Sequence, residues 1–300
     1  MKKRIHESTG DRILRIIDYI ILSIIGIIVV YPLIFVLSAS ISEPSLVASG
    51  QVVLLPKQVT VEGYKLIFES EWILKGYRNS LFYTIVGTIL NVVATFMAGY
   101  AISRRDLFGK SAITLFMSLP MWFGGGLIPT FLIVKGLGLV DTPYVLLVMG
   151  FISMYNTLIC RSFISGSIPY ELQESARIDG CNDFGIALRI IWPLSTPVLA
   201  ILALYYAIGH WNGYFDGLIY LNNREYQPIQ IFLREVLIQN QSIEMEFSDI
   251  GEIQDRVRKQ EMSQIMKYGL IVVSSIPMLV IYPFVQRYFI QGVMIGAIKG

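Results

Sequence analysis

Charge is scarce in this 300-residue chain: 15% of residues are Asp, Glu, Lys or Arg, and 24 basic side chains against 22 acidic ones leave a net charge of +2. No basic surface of the kind that holds nucleic acid is indicated. Cysteine and histidine are scarcer still. Cys160, Cys181, His6 and His210 are the full set, and none stands at ligand spacing, which leaves no zinc site, iron–sulfur site or disulfide framework to argue for. A phosphate-binding loop is also missing. Gly109-Lys110-Ser111 is the one hint of it, but the glycine required five residues before Gly109 is Arg104. No Ser/His/Asp or Cys/His arrangement in the loops supports a hydrolase, so the chain is not read as an enzyme. What abounds is apolar: 54% of residues are hydrophobic and the mean hydropathy is +0.59, values that belong in a bilayer rather than in water.

About 20 apolar helical residues cross a hydrocarbon core of about 30 Å. Six windows of that length appear, near 13–38, 81–103, 113–134, 144–164, 193–220 and 268–290. The first is longer than a signal-peptide core and lacks a clean cleavage site, so it reads as a retained span. Six spans place both termini on one side. Segments on that side carry thirteen Lys and Arg against eight Asp and Glu, net +5, and the other side is net −3. By the positive-inside rule both termini are expected in the cytoplasm. The resulting division is a cytoplasmic segment 1–12 and a six-span domain 13–300, with long outer segments 39–80 and 222–267. The second outer segment opens with Ile229, Phe232, Leu233, Val236 and Leu237 at helical spacing, an amphipathic stripe, and continues as a charged, solvated stretch from Glu244 to Glu261.

The segment 167–193 is not a span. Pro169 suits the first turn of a helix, Glu171 complements the positive end of its dipole, and Gly180 suits a left-handed C-terminal cap. Ser175 and Ala176 give that helix a small-residue face, with Glu171, Glu174 and Arg177 as charge beside it. Asn182 then caps a second short helix whose Ala187, Ile190 and Ile191 form a stripe before Pro193. Capping alone leaves two readings open, an interfacial loop or a rigid knob projecting from the membrane.

The spacing favours the knob. Glu174-Ser175-Ala176, three residues, Gly180, nine residues, Ile190, one residue, Trp192-Pro193 resembles the EAA loop of binding-protein-dependent ABC importer permeases, with Ser175 in place of an Ala and Trp192 in place of a Leu. The resemblance extends over nearly the whole chain and fits the carbohydrate importers best, in the subunit similar to the second maltose permease and to lipo-oligosaccharide and polysaccharide permeases. Asn79-Ser80, the Gly99 to Arg104 stretch, Phe123 to Pro129, Trp211 to Phe215, Pro228-Ile229-Gln230 and the tail from Gly292 to Gly300 carry it.

This resemblance implies an all-α polytopic membrane protein with six transmembrane helices, the type I ABC importer permease fold and a cytoplasmic EAA coupling loop. It implies a multi-pass protein of the bacterial plasma membrane that moves an oligosaccharide or related sugar into the cytoplasm. The partners it implies are an ATPase dimer that binds ATP and Mg, a second and non-identical permease, and an extracytoplasmic sugar-binding protein. The chain itself would need no cofactor and no metal. Glu171, Glu174, Ser175, Ala176, Asp179, Gly180 and Lys299 would couple to the ATPase: Glu174 as the charged contact, Ala176 as the close-packing residue and Gly180 as the turn.

Sugars stack their C–H faces on aromatic rings, so Trp122, Asn156, Trp211, Asn212 and Tyr214 are candidate path residues. Trp211 and Tyr214 also lie where an outer aromatic belt would sit, and both readings stand. Gly124, Gly125, Gly126 and Pro129 should loosen the third helix, either lining a path or packing tightly, and His210 reads as an interface side chain. The rival functions are an ion-coupled secondary carrier and a membrane scaffold or receptor. The first is opposed by the near absence of carboxylates along the spans and of an inverted pair of broken helices. The second would use the outer segment 222–267 to bind its ligand.

Overall fold

The computed structural model describes residues 9–245 and 266–283. Every regular element among them is a helix. In chain order these are α1 (Thr9–Ser40), α2 (Pro44–Ala48), α3 (Glu62–Glu69), α4 (Glu71–Ser103), α5 (Lys110–Trp122), α6 (Leu127–Gly136), α7 (Val145–Val148), α8 (Met154–Ser167), α9 (Glu171–Ile178), α10 (Asp183–Leu194), α11 (Thr196–Asn212), α12 (Phe215–Tyr220), α13 (Ile229–Met245) and α14 (Met266–Pro283). The expected residues 1–8, the charged stretch from 246, the end of the sixth window and the tail with Lys299 lie outside the described residues.

Two compact units divide these helices, with boundaries between α3 and α4, inside α13 and inside α14. In the first unit the end of α1 is tied down by hydroxyls. Ser38 Oγ donates to the Leu54 carbonyl at 2.5 Å, Ser42 Oγ donates to the Ser38 carbonyl at 2.6 Å and accepts from the Lys57 amide, and Ser40 shares a hydrogen bond with the Tyr64 hydroxyl. A run of small polar residues at the end of a helix whose middle is apolar thus fixes the turn into the segment that follows. The second unit is built on α4, which packs along α8 and α11. Its contact with α8 is close because Gly99 has no side chain: a Cβ there would lie 2.9 Å from the Cys160 Cβ and 3.3 Å from the Thr157 carbonyl oxygen. Small residues permit such backbone approach where lipid gives helices no hydrophobic reason to associate.

Three helices, α1, α4 and α14, are long and apolar enough to cross a membrane, and two bent pairs pass the same test together. The pair α5 and α6 bends by 116° across Phe123 to Gly126, where the glycine run was expected to loosen the helix. The pair α10 and α11 bends by 83° at Ser195, so Pro193 sits in the last turn of α10 and the fifth window begins at Thr196 instead. The fourth window differs more. Its helix is broken between α7 and α8 by residues 149–153, and the freed backbone is satisfied by side chains of other helices. Asn91 of α4 donates Nδ2 to the Phe151 carbonyl at 2.8 Å, and the Tyr206 hydroxyl of α11 accepts from the Ser153 amide at 3.2 Å. Non-helical backbone at membrane depth is tolerated only with such partners.

Candidate functional site

The segment from Glu171 to Leu194 folds as two short helices joined by a sharp elbow. At the end of α9 the Gly180 amide donates to the Arg177 carbonyl at 3.0 Å and the Cys181 amide to the Ala176 carbonyl at 2.9 Å, while Gly180 takes φ +81°. This pair of bonds is the Schellman closure that a glycine accommodates without strain. Asn182 Oδ1 then accepts from the Gly185 amide at 2.8 Å and starts α10. Both features match the sequence expectation. α9 runs for eight residues and starts at Glu171, with Pro169 and Tyr170 forming the turn before it.

The two faces of α9 correct one expected role. Ala176, expected to pack closely on an ATPase, is 5% exposed and sits in the chain's own apolar cluster with Ile164, Ile168 and Ile186. Gln173, one turn earlier, is buried on the same side. The small-residue face is therefore split: Ala176 anchors the helix inward, and Ser175 faces out with Glu171, Leu172, Glu174, Asp179 and an 87% exposed Ile178. α10 packs through Ile186, Ala187 and Ile191, so that of the expected stripe Ala187 and Ile191 are buried and Ile190 is half-buried, and it includes a π-helical turn from Ala187 to Ile191. Trp192 places its ring edge-on against Phe96 of α4, 4.8 Å between centroids. The bulk that departs from the EAA pattern is thus taken up by α4.

A charged cluster joins this elbow to the end of α4. Arg104, immediately after α4, holds Asp106 in a two-pronged grip, Nε to Oδ1 at 2.9 Å and Nη2 to Oδ2 at 2.6 Å, and also pairs with Asp183 at the start of α10. Arg177 of α9 reaches the same Asp106 oxygen at 2.7 Å and Asp183 at 3.5 Å. The Arg104 and Arg177 hydrogen bonds hold the Asp106 carboxyl well below the usual carboxylate range, and Asp106 raises Arg104 in turn. Beside the cluster a cavity of about 370 Å³ is lined by Tyr100, Leu107, Phe108, Phe184 and Ala187; Phe108 is 96% exposed.

Deeper in the same unit lies a seam of polar side chains between α4 and α11. Asn91 Oδ1 accepts from His210 Nε2 at 2.6 Å, and Thr95 shares a 2.6 Å hydrogen bond with Tyr206. Because the Asn91 amide is committed to the Phe151 carbonyl, its oxygen faces the ring, which assigns the proton to Nε2. His210 is therefore an interior network residue rather than an interface one. A cavity of about 210 Å³ at this seam is lined by Tyr83, Tyr205, His210, Gly213 and the half-buried Asp216.

Sequence reasoning did not single out Asn91, Thr95, Tyr206 or Asp216. Their signal was available, since each is a polar side chain within an apolar window. Among the path candidates, Trp211 is 1% exposed, its indole N–H donates to the Ser274 carbonyl at 2.8 Å, and its ring meets Tyr77 edge-on. It is a packing residue, neither belt nor lining. Asn156 is buried in the first turn of α8, whereas Trp122, Asn212 and Tyr214 are exposed. Among the described residues, no three His, Cys, Asp or Glu side chains gather as a metal would require.

A membrane-spanning chain whose regular elements, among the described residues, are all helices and which carries a folded two-helix loop is the class that these observations define. The chain belongs to the family of binding-protein-dependent transport system inner membrane components, whose pattern matches residues 91–242, and is an ABC transporter permease. It is 36% identical over 97% of its length to the polygalacturonan/rhamnogalacturonan transport system permease protein YtcP of Bacillus subtilis, covering 99% of that protein. It is 34% identical over 98% of both chains to protein LplC of the same organism. A chain from the crystal structure of a bacterial ABC transporter involved in the import of the acidic polysaccharide alginate matches with a TM-score of 0.85 and 30% identity, over 95% of this chain and 99% of that one.

Proposed function

We propose that this chain is one of two non-identical permease subunits of an importer that moves an oligosaccharide into the bacterial cytoplasm. An extracytoplasmic binding protein delivers the sugar, and a separate ATPase dimer, which holds the ATP and Mg, drives the cycle. The observation that carries this reading is the elbow 171–194: a rigid pair of helices, anchored inward through Ala176, Ile186 and Ile191, that presents charged and apolar side chains outward. A membrane rearrangement follows ATP binding only if motor and membrane parts are mechanically joined, and such a knob is the joint. The names of the relatives support a carbohydrate cargo, and those of YtcP and the alginate transporter favour polysaccharide-derived chains.

In this reading six spans cross the membrane, the fourth being the broken pair α7 and α8, and both termini lie in the cytoplasm, where the Lys/Arg tally places them. Glu171, Glu174, Ser175, Asp179 and Gly180 form the coupling surface, and Lys299 in the tail adds to it. The path wall uses the exposed Trp122, Asn212 and Tyr214 and the polar seam between α4 and α11, with Asp216 and the tyrosines offering partners for sugar hydroxyls, while the buried Asn156 and Trp211 support it.

Glu174→Arg and Gly180→Pro test the joint. The first reverses an outward charge, and the second forbids φ +81° because proline is held near −65°. Both variants should insert normally and co-purify less ATPase, and uptake of galacturonan-derived oligosaccharide per ATP hydrolysed should fall about tenfold or more. Uptake at the wild-type ratio in both would refute the coupling role, and a wild-type complex that brings down no ATPase would refute the importer.

A further inference from the structure

The four charges Arg104, Asp106, Arg177 and Asp183 come from three separate elements: the end of α4, the last turn of α9 and the first turn of α10. Isolated surface ion pairs contribute little, because side-chain entropy and water cancel most of the attraction. This cluster differs in three ways. Arg104 grips Asp106 with two parallel hydrogen bonds, the geometry that makes guanidinium–carboxylate pairs strong and directional. The Arg104 side chain is 14% exposed, so screening of its contacts is reduced. Each carboxylate receives both arginines, so the charges alternate around a closed ring and no single bond breaks without weakening its neighbours.

We propose that this ring is a latch between the elbow and α4, and that Arg104 and Asp106 are positioning residues for the coupling loop. Apolar contacts of α9 and α10 resist separation of the elbow from the bundle but permit sliding, since packing has little direction. The ring supplies the directional constraint. Asp106 lies in the turn directly after α4, and Arg177 lies three residues before Gly180. A displacement of the elbow therefore pulls on the last turn of α4 through side chains rather than through the long backbone route by α8. Lys110 reinforces that end, donating Nζ to the Ser103 and Arg104 carbonyls at 3.2 and 3.1 Å, and Arg105 lies over the Tyr170 ring just before α9. The end of α4, the turn after it and the start of the elbow thus form one mechanical piece. The force-transmitting part of this inference rests on the proposal that the elbow docks on an ATPase.

Hydrogen exchange on the full membrane complex tests the latch without knowledge of the sugar. The variants are Asp106→Arg, which breaks the alternation, and the fourfold exchange Arg104→Asp, Asp106→Arg, Arg177→Asp and Asp183→Arg, which restores it with every sign reversed. In Asp106→Arg, amides of 171–194 should lose protection by about tenfold, while those of α11 keep theirs; the fourfold exchange should recover to within about twofold. A general loss of stability would instead lower protection in α11 as well, and unchanged protection of 171–194 would overturn the latch.

Transmission is read by adding ATP and vanadate. In wild type, protection should change in both 171–194 and 95–109, and in Asp106→Arg in 171–194 alone. An equal response of 95–109 in wild type and variant, or none in wild type, would overturn transmission through the ring. Failure of the importer reading shows separately, as a wild-type preparation without ATPase, and the protection of 171–194 remains measurable in that preparation.

Discussion

α1 and α4 are almost the same length, 32 and 33 residues, and both are apolar enough to cross a membrane, yet they are built for different surroundings. None of the most apolar stretch of α1 is buried within the chain, against 39% of that of α4. From Ile20 to Val30, α1 offers only aliphatic side chains, Ser23 and Gly26. α4 buries Ser80, Thr84, Asn91 and Thr95 on its packed side and uses Gly76 and Gly99 for close contacts. In water an apolar stripe marks the buried face of a helix; in lipid that mark is void, because the solvent is as apolar as leucine. The buried face is instead the one with small and polar residues. By this criterion the middle of α1 has no packed face within the chain, and α4 is the helix around which the second unit is assembled.

The largest test of this contrast is a matched pair of glycine substitutions. Gly99→Leu forces side-chain atoms against Cys160 and the Thr157 carbonyl, whereas a Cβ at Gly26 meets nothing within 4 Å. Overpacking at Gly99 should cost about 3 kcal/mol. Gly26→Leu should be close to neutral. Thermal unfolding of the detergent-solubilised protein measures both, and equal effects would remove the distinction between the two helices.

A smaller contrast concerns polarity. Asn91→Leu deprives His210 and the Phe151 carbonyl of their partner, and buried groups left unpaired should cost about 2 kcal/mol. Ser23→Leu on α1 removes an exposed hydroxyl from an apolar surface and should leave the midpoint unchanged or raised. Proteolysis around 149–153 adds a local reading: loosening there in Asn91→Leu ties Asn91 to the broken backbone, and none would detach it.

These particulars also show what the sequence made legible. The Gly180 elbow and the Asn182 cap were readable because both are local, decided by backbone chemistry within four residues. The bend at Gly124 to Gly126 followed from the same kind of signal. The break between α7 and α8 was not readable. It depends on Asn91 and Tyr206, 60 and 53 residues away from the groups they satisfy, and the intervening apolar run looks like any other span. The inward turn of Ala176 and the burial of Trp211 escaped for a related reason. Small size and aromaticity are compatible with either side of a helix, and the side is chosen by packing partners that only the fold supplies. The charged ring was invisible as a unit, since Asp106 and Arg177 are 71 residues apart, although each of its members had been counted toward the cytoplasmic charge.

The smallest expected effect is the response of that ring to pH, and its sign follows from Asp106. Hydrogen bonds from Arg104, then Arg177, favour the ionised carboxylate in the folded protein and lower its pKa from the ordinary 3.8. A carboxyl depressed in this way contributes stability that is fully present above its unfolded pKa and is lost as pH falls through the folded value. Protection factors of 171–194 should therefore be flat from about pH 8 to about pH 5 and decline only below about pH 4, while the middle of α1, remote from the ring in sequence and devoid of charge, stays constant and serves as the internal reference. Asp106→Asn should flatten the acid limb and lower the plateau. Raising salt from about 0.1 to 1 M, which shortens the screening length from about 10 to 3 Å, should lower protection in wild type more than in Asp106→Asn, because a carboxamide leaves less charge to screen. A decline that began near neutral pH would assign the latch to a group other than Asp106, and an identical salt response in both proteins would mean that the elbow is held by apolar packing alone.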